Sequence, residues 1–213
     1  MIPRVSASIA ACLIASAAVV FADEAPLDAW LARQAETRSI DVRFTQERKL
    51  PALKEPVRTP GRLSFRKPAT IRWQLGEPAE TVILGDGEKL TIVDHREKTI
   101  QTLAADSPRA GRFAMLGGRE FGDAEEFRKT FEVHAHREVS GIHQYTLRPR
   151  DRRVRSRVPW MFLDIDPENS ELRALEIELQ DGSRVRTVFQ RPRLDIDLPD
   201  GHFQADADGF ERM

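Results

Sequence analysis

The chain has 213 residues, with 33 Lys+Arg against 34 Asp+Glu and a formal charge of −1. That balance argues against a nucleic-acid binder, which needs a basic excess to meet phosphates. With 40% apolar residues and one cysteine, the chain can bury a sizeable core in one domain, but it must hold that core by packing and not by disulfides.

Residues 1–22 run from MIPR through VSASIAACLIASAAVV to Val20-Phe21-Ala22, before the acidic DEAP. A cation, an apolar stretch and small residues ahead of a cut make a secretory signal peptide, cleaved after Ala22, and residues 23–213 form the mature domain. The stretch is short for a membrane span and lacks a stop-transfer flank. Ile9-Ala10-Ala11-Cys12 has the look of an acylation box, but more apolar sequence follows it and Cys12 reads as an ordinary cysteine inside the discarded signal, so the mature chain is expected to have no thiol. Export also argues against nucleic acid as a partner.

After the cut, Leu27, Trp30 and Leu31 at helical spacing, with Asp28 near the start, predict one amphipathic helix. From Ser39 the period changes to two. SIDVRFTQERKL sets Ile40, Val42 and Phe44 on one face and Asp41, Arg43 and Thr45 on the other. Strands follow in GRLSF, TIRWQL, TVIL, KLTIV and KTIQTL, separated by RKP, GEP, GDG and DHRE turns. The alternation breaks over residues 104–130, where ADSPRAGRFAMLGG reads as a short apolar loop or helix and REFGDAEEFRKTF as a second helix. Strands resume in FEVHAHREV, HQYTLRP, PWMFLDID, LRALEIELQ, SRVRTVFQ and RLDIDL. In the fourth of these, Leu175, Ile177 and Leu179 alternate with Glu176, Glu178 and Gln180, giving one dry and one wet face. About eleven strands with two or three helical pieces predict a mainly β domain: one large antiparallel sheet, curled into a barrel or half-barrel, whose dry face the helices cover. Periodicity leaves open whether the interior is filled by side chains or kept free for a ligand.

No catalytic constellation is readable, since the chain has no G-x-S-x-G elbow, H-E-x-x-H pair or phosphate-cradling glycine loop. An enzyme reading therefore has no nucleophile and base to rest on, and no cofactor is expected. His134 and His136, on one side of a regular strand, with His143 across the turn, pose a metal question; surface histidines of a hairpin answer it more simply, and no metal site is expected. RPRDRRVRSR holds Arg148, Arg150, Arg152, Arg153, Arg155 and Arg157 at a strand connection. It reads either as a solvated hairpin tip whose charge discourages edge pairing or as a docking patch for an anionic membrane or an acidic partner.

In GRLSFRKP, Leu63, Phe65 and Lys67 share one face, while Arg62, Ser64 and Arg66 share the other. Ile71, Trp73 and Leu75 supply the matching row of the next strand, and Pro68 ends the first strand at a turn. A lysine at the end of an apolar row either snorkels from a filled core into water or binds the carbonyls of a lid or a lipid head group.

Phe44-Thr45-Gln46, then Gly61, Leu63 and Arg66-Lys67-Pro68, then Trp73, Glu77-Pro78, Val82-Ile83-Leu84 and Asp86-Gly87 together resemble the periplasmic outer-membrane lipoprotein carrier family, LolA. The spacing is followed closely over residues 39–95. The resemblance implies an incomplete β-barrel with a helical lid around a hydrophobic cavity for lipoprotein acyl chains. The cavity and lid contacts would be Trp30, Val42, Phe44, Leu63, Phe65, Ile71 and Trp73, with Phe113, Met115 and Leu116 from RFAMLGG. It further implies a non-enzymatic periplasmic carrier, expected as a monomer. Cargo would come from an inner-membrane ABC transporter or exporter and pass to an outer-membrane acceptor. The family's lid-tethering arginine falls on Lys67, which lacks a bidentate fork, with Arg66 beside it as the other lid tether or head-group contact. HFQADADGFERM lacks the family's prolines and is acidic. These departures keep open a paralogue that carries another lipid, or a periplasmic lipid sensor.

Overall fold

The computed structural model describes residues 24–104, 107, 124–206 and 208–213. The signal segment and Phe113, Met115 and Leu116 lie outside these residues. Among the described residues one sheet of twelve strands runs in the order β12-β6-β5-β4-β3-β2-β1-β11-β10-β9-β8-β7 and does not close. The strands are β1 (Ser39–Lys49), β2 (Val57–Arg66), β3 (Thr70–Leu75), β4 (Thr81–Gly85), β5 (Lys89–Asp94), β6 (Thr99–Ala104), β7 (Phe131–Val139), β8 (Ile142–Pro149), β9 (Trp160–Asp166), β10 (Glu171–Glu178), β11 (Arg184–Leu194) and β12 (Glu211–Arg212). Every neighbouring pair is antiparallel except β12 with β6. The predicted mainly β sheet with helices over its dry face is what the chain forms. The differences lie at the end: SRVRTVFQ continues as one strand to Leu194, with an irregularity in its register against β1 between Asp41 and Arg43, the rest of the expected RLDIDL strand, from Asp195 to Leu198, leaves the sheet, and the two-residue β12 is too short to carry a periodic signal.

Helix α1 (Ala25–Glu36) begins with proline in its first turn, where a missing N–H costs nothing. It ends at Thr37, whose amide and hydroxyl both donate to the Arg33 carbonyl, at 3.0 and 2.8 Å. Its buried stripe, Leu27, Trp30 and Leu31, packs with Phe127 of α2 (Ala124–Thr130) onto Tyr145, Leu147, Met161, Leu163, Ile165, Leu175 and Ile177. Arg128 ties the helices together through Glu24 (2.6 Å) and Asp28. The β7–β11 half of the concave face is thus a filled core. On its outer face the wet row seen in LRALEIELQ is a ladder of ion pairs: Arg184 with Glu178 (2.6 Å) and Glu176 (3.3 Å), and Arg173 with Asp166 (2.7 Å).

Candidate functional site

Across β1–β6 the register aligns Val42, Leu63, Trp73, Ile83 and Ile92 in one row running from strand to strand. A second row holds Ile40, Phe65, Ile71, Leu90 and Leu103, with Gly85 between the third and fourth. At about 4.8 Å per strand, this gives an apolar wall roughly 24 Å wide. Phe44, Trp73, Ile83 and Leu90 are buried within it, whereas Leu63, Leu75, Ile92 and Leu103 are only partly buried. Phe44 lies across its β2 partner Gly61 and meets the Trp73 ring at 4.4 Å. A Cβ on Gly61 would stand 2.3 Å from the Phe44 ring, so the glycine of the G-x-L motif is a steric requirement of this wall. The indole N–H of Trp73 is buried with no acceptor among the described residues, a donor that costs stability unless something polar meets it. Phe189 of β11 packs edge-on to Phe44 at 6.2 Å and joins this wall to the filled half. Trp30 sits in that filled half at 2% exposure, away from the β1–β6 wall.

The basic pair divides between the two faces of the sheet. Lys67 Nζ donates to the carbonyl of Ala35 in the last turn of α1, joining the β2–β3 turn to the helix that covers the core. Arg66 points the other way, toward the C-terminal segment. Its guanidinium donates to Leu198 O (2.7 Å) and Asp200 (2.6 Å) and lies 5.0 Å over the Phe203 ring. The alternation of β2 dictates this, because residue 66 belongs with Arg62 and Ser64 on the convex face.

The convex face holds residues that reading by motif misses. Asp41, 4% exposed, accepts from Arg62 at 2.7 and 2.9 Å, from Ser64 at 2.9 Å and from Arg193. Burial alone would raise its pKa, but these donors outweigh it and hold the carboxyl well below the usual range. His202 meets Ser64 Oγ at 2.8 Å, and Arg72 donates to the carbonyls of His202 and Gln204 at 3.3 and 3.2 Å. Burial, then the Arg72 and Arg62 charges, push the His202 pKa down. Phe210 packs on Val82, Leu84 and Val93, so the C-terminal segment is strapped over the outer face of β2–β6. A groove of about 570 Å³ beside it is lined by Asp86, Lys89 and Arg212 as well as Leu84 and Ile100, too polar for an alkyl chain. The sequence signal was available: two phenylalanines in an otherwise polar, acidic tail have to be buried somewhere.

An irregularity in register between Val133 and Ala135 breaks the predicted H-x-H alignment. His134 packs against Trp160 at 4.9 Å, while His136 stacks on Tyr145 and lies 2.9 Å from His143. The arginine-rich connection is not a plain hairpin tip. It contains the one-turn α3 (Arg152–Arg155), capped by the Asp151 carboxylate. Arg155 donates to Pro149 O (3.0 Å) and Arg150 O (3.2 Å), Arg150 to Arg128 O (3.0 Å), and Arg148 lies 5.7 Å over Trp160.

Residues 35–206 match the family model "Outer membrane lipoprotein carrier protein LolA". An outer-membrane lipoprotein carrier protein of Alkalilimnicola ehrlichii is 30% identical over 207 residues, 92% of this chain and 87% of that protein. One from Pseudomonas fluorescens is 21% identical over 150 residues, 70% of this chain and 68% of that protein. Among solved structures, an uncharacterised conserved protein from Thermus thermophilus superposes with a TM-score of 0.53 at 7% identity, over 88% of this chain and 96% of that one, a likeness of fold alone.

Proposed function

Because the chain belongs to the family of the outer membrane lipoprotein carrier protein LolA, we propose that it is a non-enzymatic periplasmic carrier. It takes lipoprotein acyl chains onto the apolar β1–β6 wall and shuttles them from an inner-membrane ABC transporter or exporter to an outer-membrane acceptor. The observation that carries this reading is the wall itself, six strands wide, with Leu63, Leu75, Ile92 and Leu103 packed against its buried centre and still only partly buried. A methylene moved from water onto such a surface contributes about 0.8 kcal/mol, so capture of an acyl chain is easy and release is the harder step. Lys67 on the Ala35 carbonyl is the lid tether in this reading, and one hydrogen bond is weak enough to break on each cycle. The buried Trp73 N–H is the donor for an ester or amide carbonyl at the head of the chain. Trp73→Phe is expected to leave stability within about 1 kcal/mol while weakening binding of ester lipids more than of plain alkanes, by titration with both. Residues 1–22 act as the cleaved signal, and the carrier works as a monomer.

A second reading, a paralogue serving a different lipid or a lipid sensor, is favoured by lysine at position 67 and by the acidic C-terminal strap. Native mass spectrometry of residues 23–213, purified from a periplasmic extract without detergent, tests both. A bound acylated species supports a carrier, and its identity separates lipoprotein from another lipid. An apo mass that also fails to enhance a hydrophobic fluorescent probe overturns both.

A further inference from the structure

The antiparallel register brings three connections to one end of the sheet. Arg48 pairs with Val57 and Lys49 with Arg184, Arg184 with Glu178, and Glu178 with Trp160. The β1–β2 loop, the β10–β11 turn and the β8–β9 connection therefore form a continuous rim. Two contacts join them: Gly182 lies beside the Pro51 ring, where an added Cβ would stand 3.9 Å away, and Gln180 donates its amide to Arg157 O at 3.0 Å.

This rim differs in composition from the rest of the molecule. Residues 47–58, 150–157 and 181–184 hold ten cations against four carboxylates, in a chain whose net charge is −1. The far ends of the same strands hold Asp166, Glu168, Glu171, Asp195, Asp197 and Asp200 beside Arg38, Arg66, Lys67 and Arg193, so the cationic excess of the rim is not repeated there. The sheet arginines Arg173, Arg184 and Arg186 are paired with carboxylates. Arg48, Lys49, Lys54, Arg152 and Arg153, in contrast, have no ion-pair partner among the described residues. The same rim exposes Leu53 at 46%, Val57 at 45% and Val154 at 37%, three of the five exposed large apolar side chains among the described residues.

We propose that this rim docks the protein on an anionic lipid bilayer. Cations held around exposed aliphatic side chains match an interface in which phosphates face the charges and the aliphatic groups enter the head-group layer. An acidic protein surface would use the charges but leave Leu53, Val57 and Val154 in water. With so few apolar side chains the contact is reversible and driven by charge, so it fades as salt shortens the screening length. The surface is separate from the β1–β6 wall, and docking does not depend on what that wall carries.

The test is co-sedimentation of the mature protein with vesicles of phosphatidylcholine alone and with about a third phosphatidylglycerol, at low and high salt. Binding is expected on the anionic vesicles only and is lost at high salt. Arg152→Glu with Arg153→Glu should reduce partitioning at least about tenfold, and Leu53→Ser about threefold. All three positions are exposed, and unchanged circular dichroism shows that the variants fold. Equal partitioning on neutral vesicles overturns the proposal. So does absence of binding to anionic vesicles at low salt, and if polyglutamate resin then retains wild type but not the double variant, the rim is a site for an acidic protein.

Discussion

Gly61 and Lys67 show how much one position carries here. Phe44 reaches Trp73 only because its partner across the β1–β2 ladder has no side chain. Gly61→Ala should cost about 2–3 kcal/mol in chemical denaturation, since the added methyl meets the Phe44 ring on one side and the Gln74 carbonyl on the other. An unchanged midpoint would show that Phe44 has another place to go. Lys67 joins the β2–β3 turn to the last turn of α1 through a single donor. Lys67→Leu keeps the apolar stem and removes that donor, so cargo release in a stopped-flow transfer assay should speed up several-fold, the expectation for a lost hydrogen bond of about 1 kcal/mol. Release at the wild-type rate removes Lys67 from the mechanism. Alternation placed Lys67 and Arg66 on opposite faces before any fold was known. It could not say that the outer face is occupied, which is why Arg66 holds the tail.

At the scale of elements, that tail is the part least visible to pattern reading. Periodicity needs several residues to register, and the tail is a single turn, Asp200–Phe203, followed by a two-residue strand. Its attachment depends on side chains of β2 and β3 far away in sequence: Arg66, Arg72 and Ser64. His202 makes the attachment sensitive to pH. Its pKa lies below 6.5 in the folded chain because of burial and the neighbouring arginines, so above that pH the ring is neutral folded or unfolded and has no effect. As pH falls through 6.5, the unfolded segment takes up a proton that the docked one refuses, and docking weakens. Hydrogen exchange at the amides of Gln204 and Glu211 should report it, with local opening rising toward about tenfold per pH unit below 6.5. The same slope in His202→Asn would assign the effect to another group. The irregularity between Val133 and Ala135 is the other feature hidden from alternation, because one residue out of step takes His134 and His136 off a shared face.

For the whole molecule, the sheet divides its labour between halves. The β7–β11 half is sealed by α1 and α2, with Leu163 and Tyr145 at 0% exposure, while the β1–β6 half keeps Ile92 and Leu75 partly open. Leu163→Ala should therefore cost about 2–5 kcal/mol in stability with lipid affinity unchanged. Ile92→Asp should reduce lipid binding at least about tenfold with a stability change under about 1 kcal/mol, since a half-exposed site can still hydrate the charge. If both variants lose stability and binding together, the two halves are not separable. By itself the sequence determined most of the strands and turns and, within regular strands, which residues share a face, because those follow from local sterics and from the two-residue period of the chain. Only the tertiary structure decided which apolar rows are sealed and which stay open, where the tail lies, and that the β1–β2 loop and the arginine-rich connection form one rim. Each of those depends on contacts between residues far apart in the chain, and no local pattern encodes them.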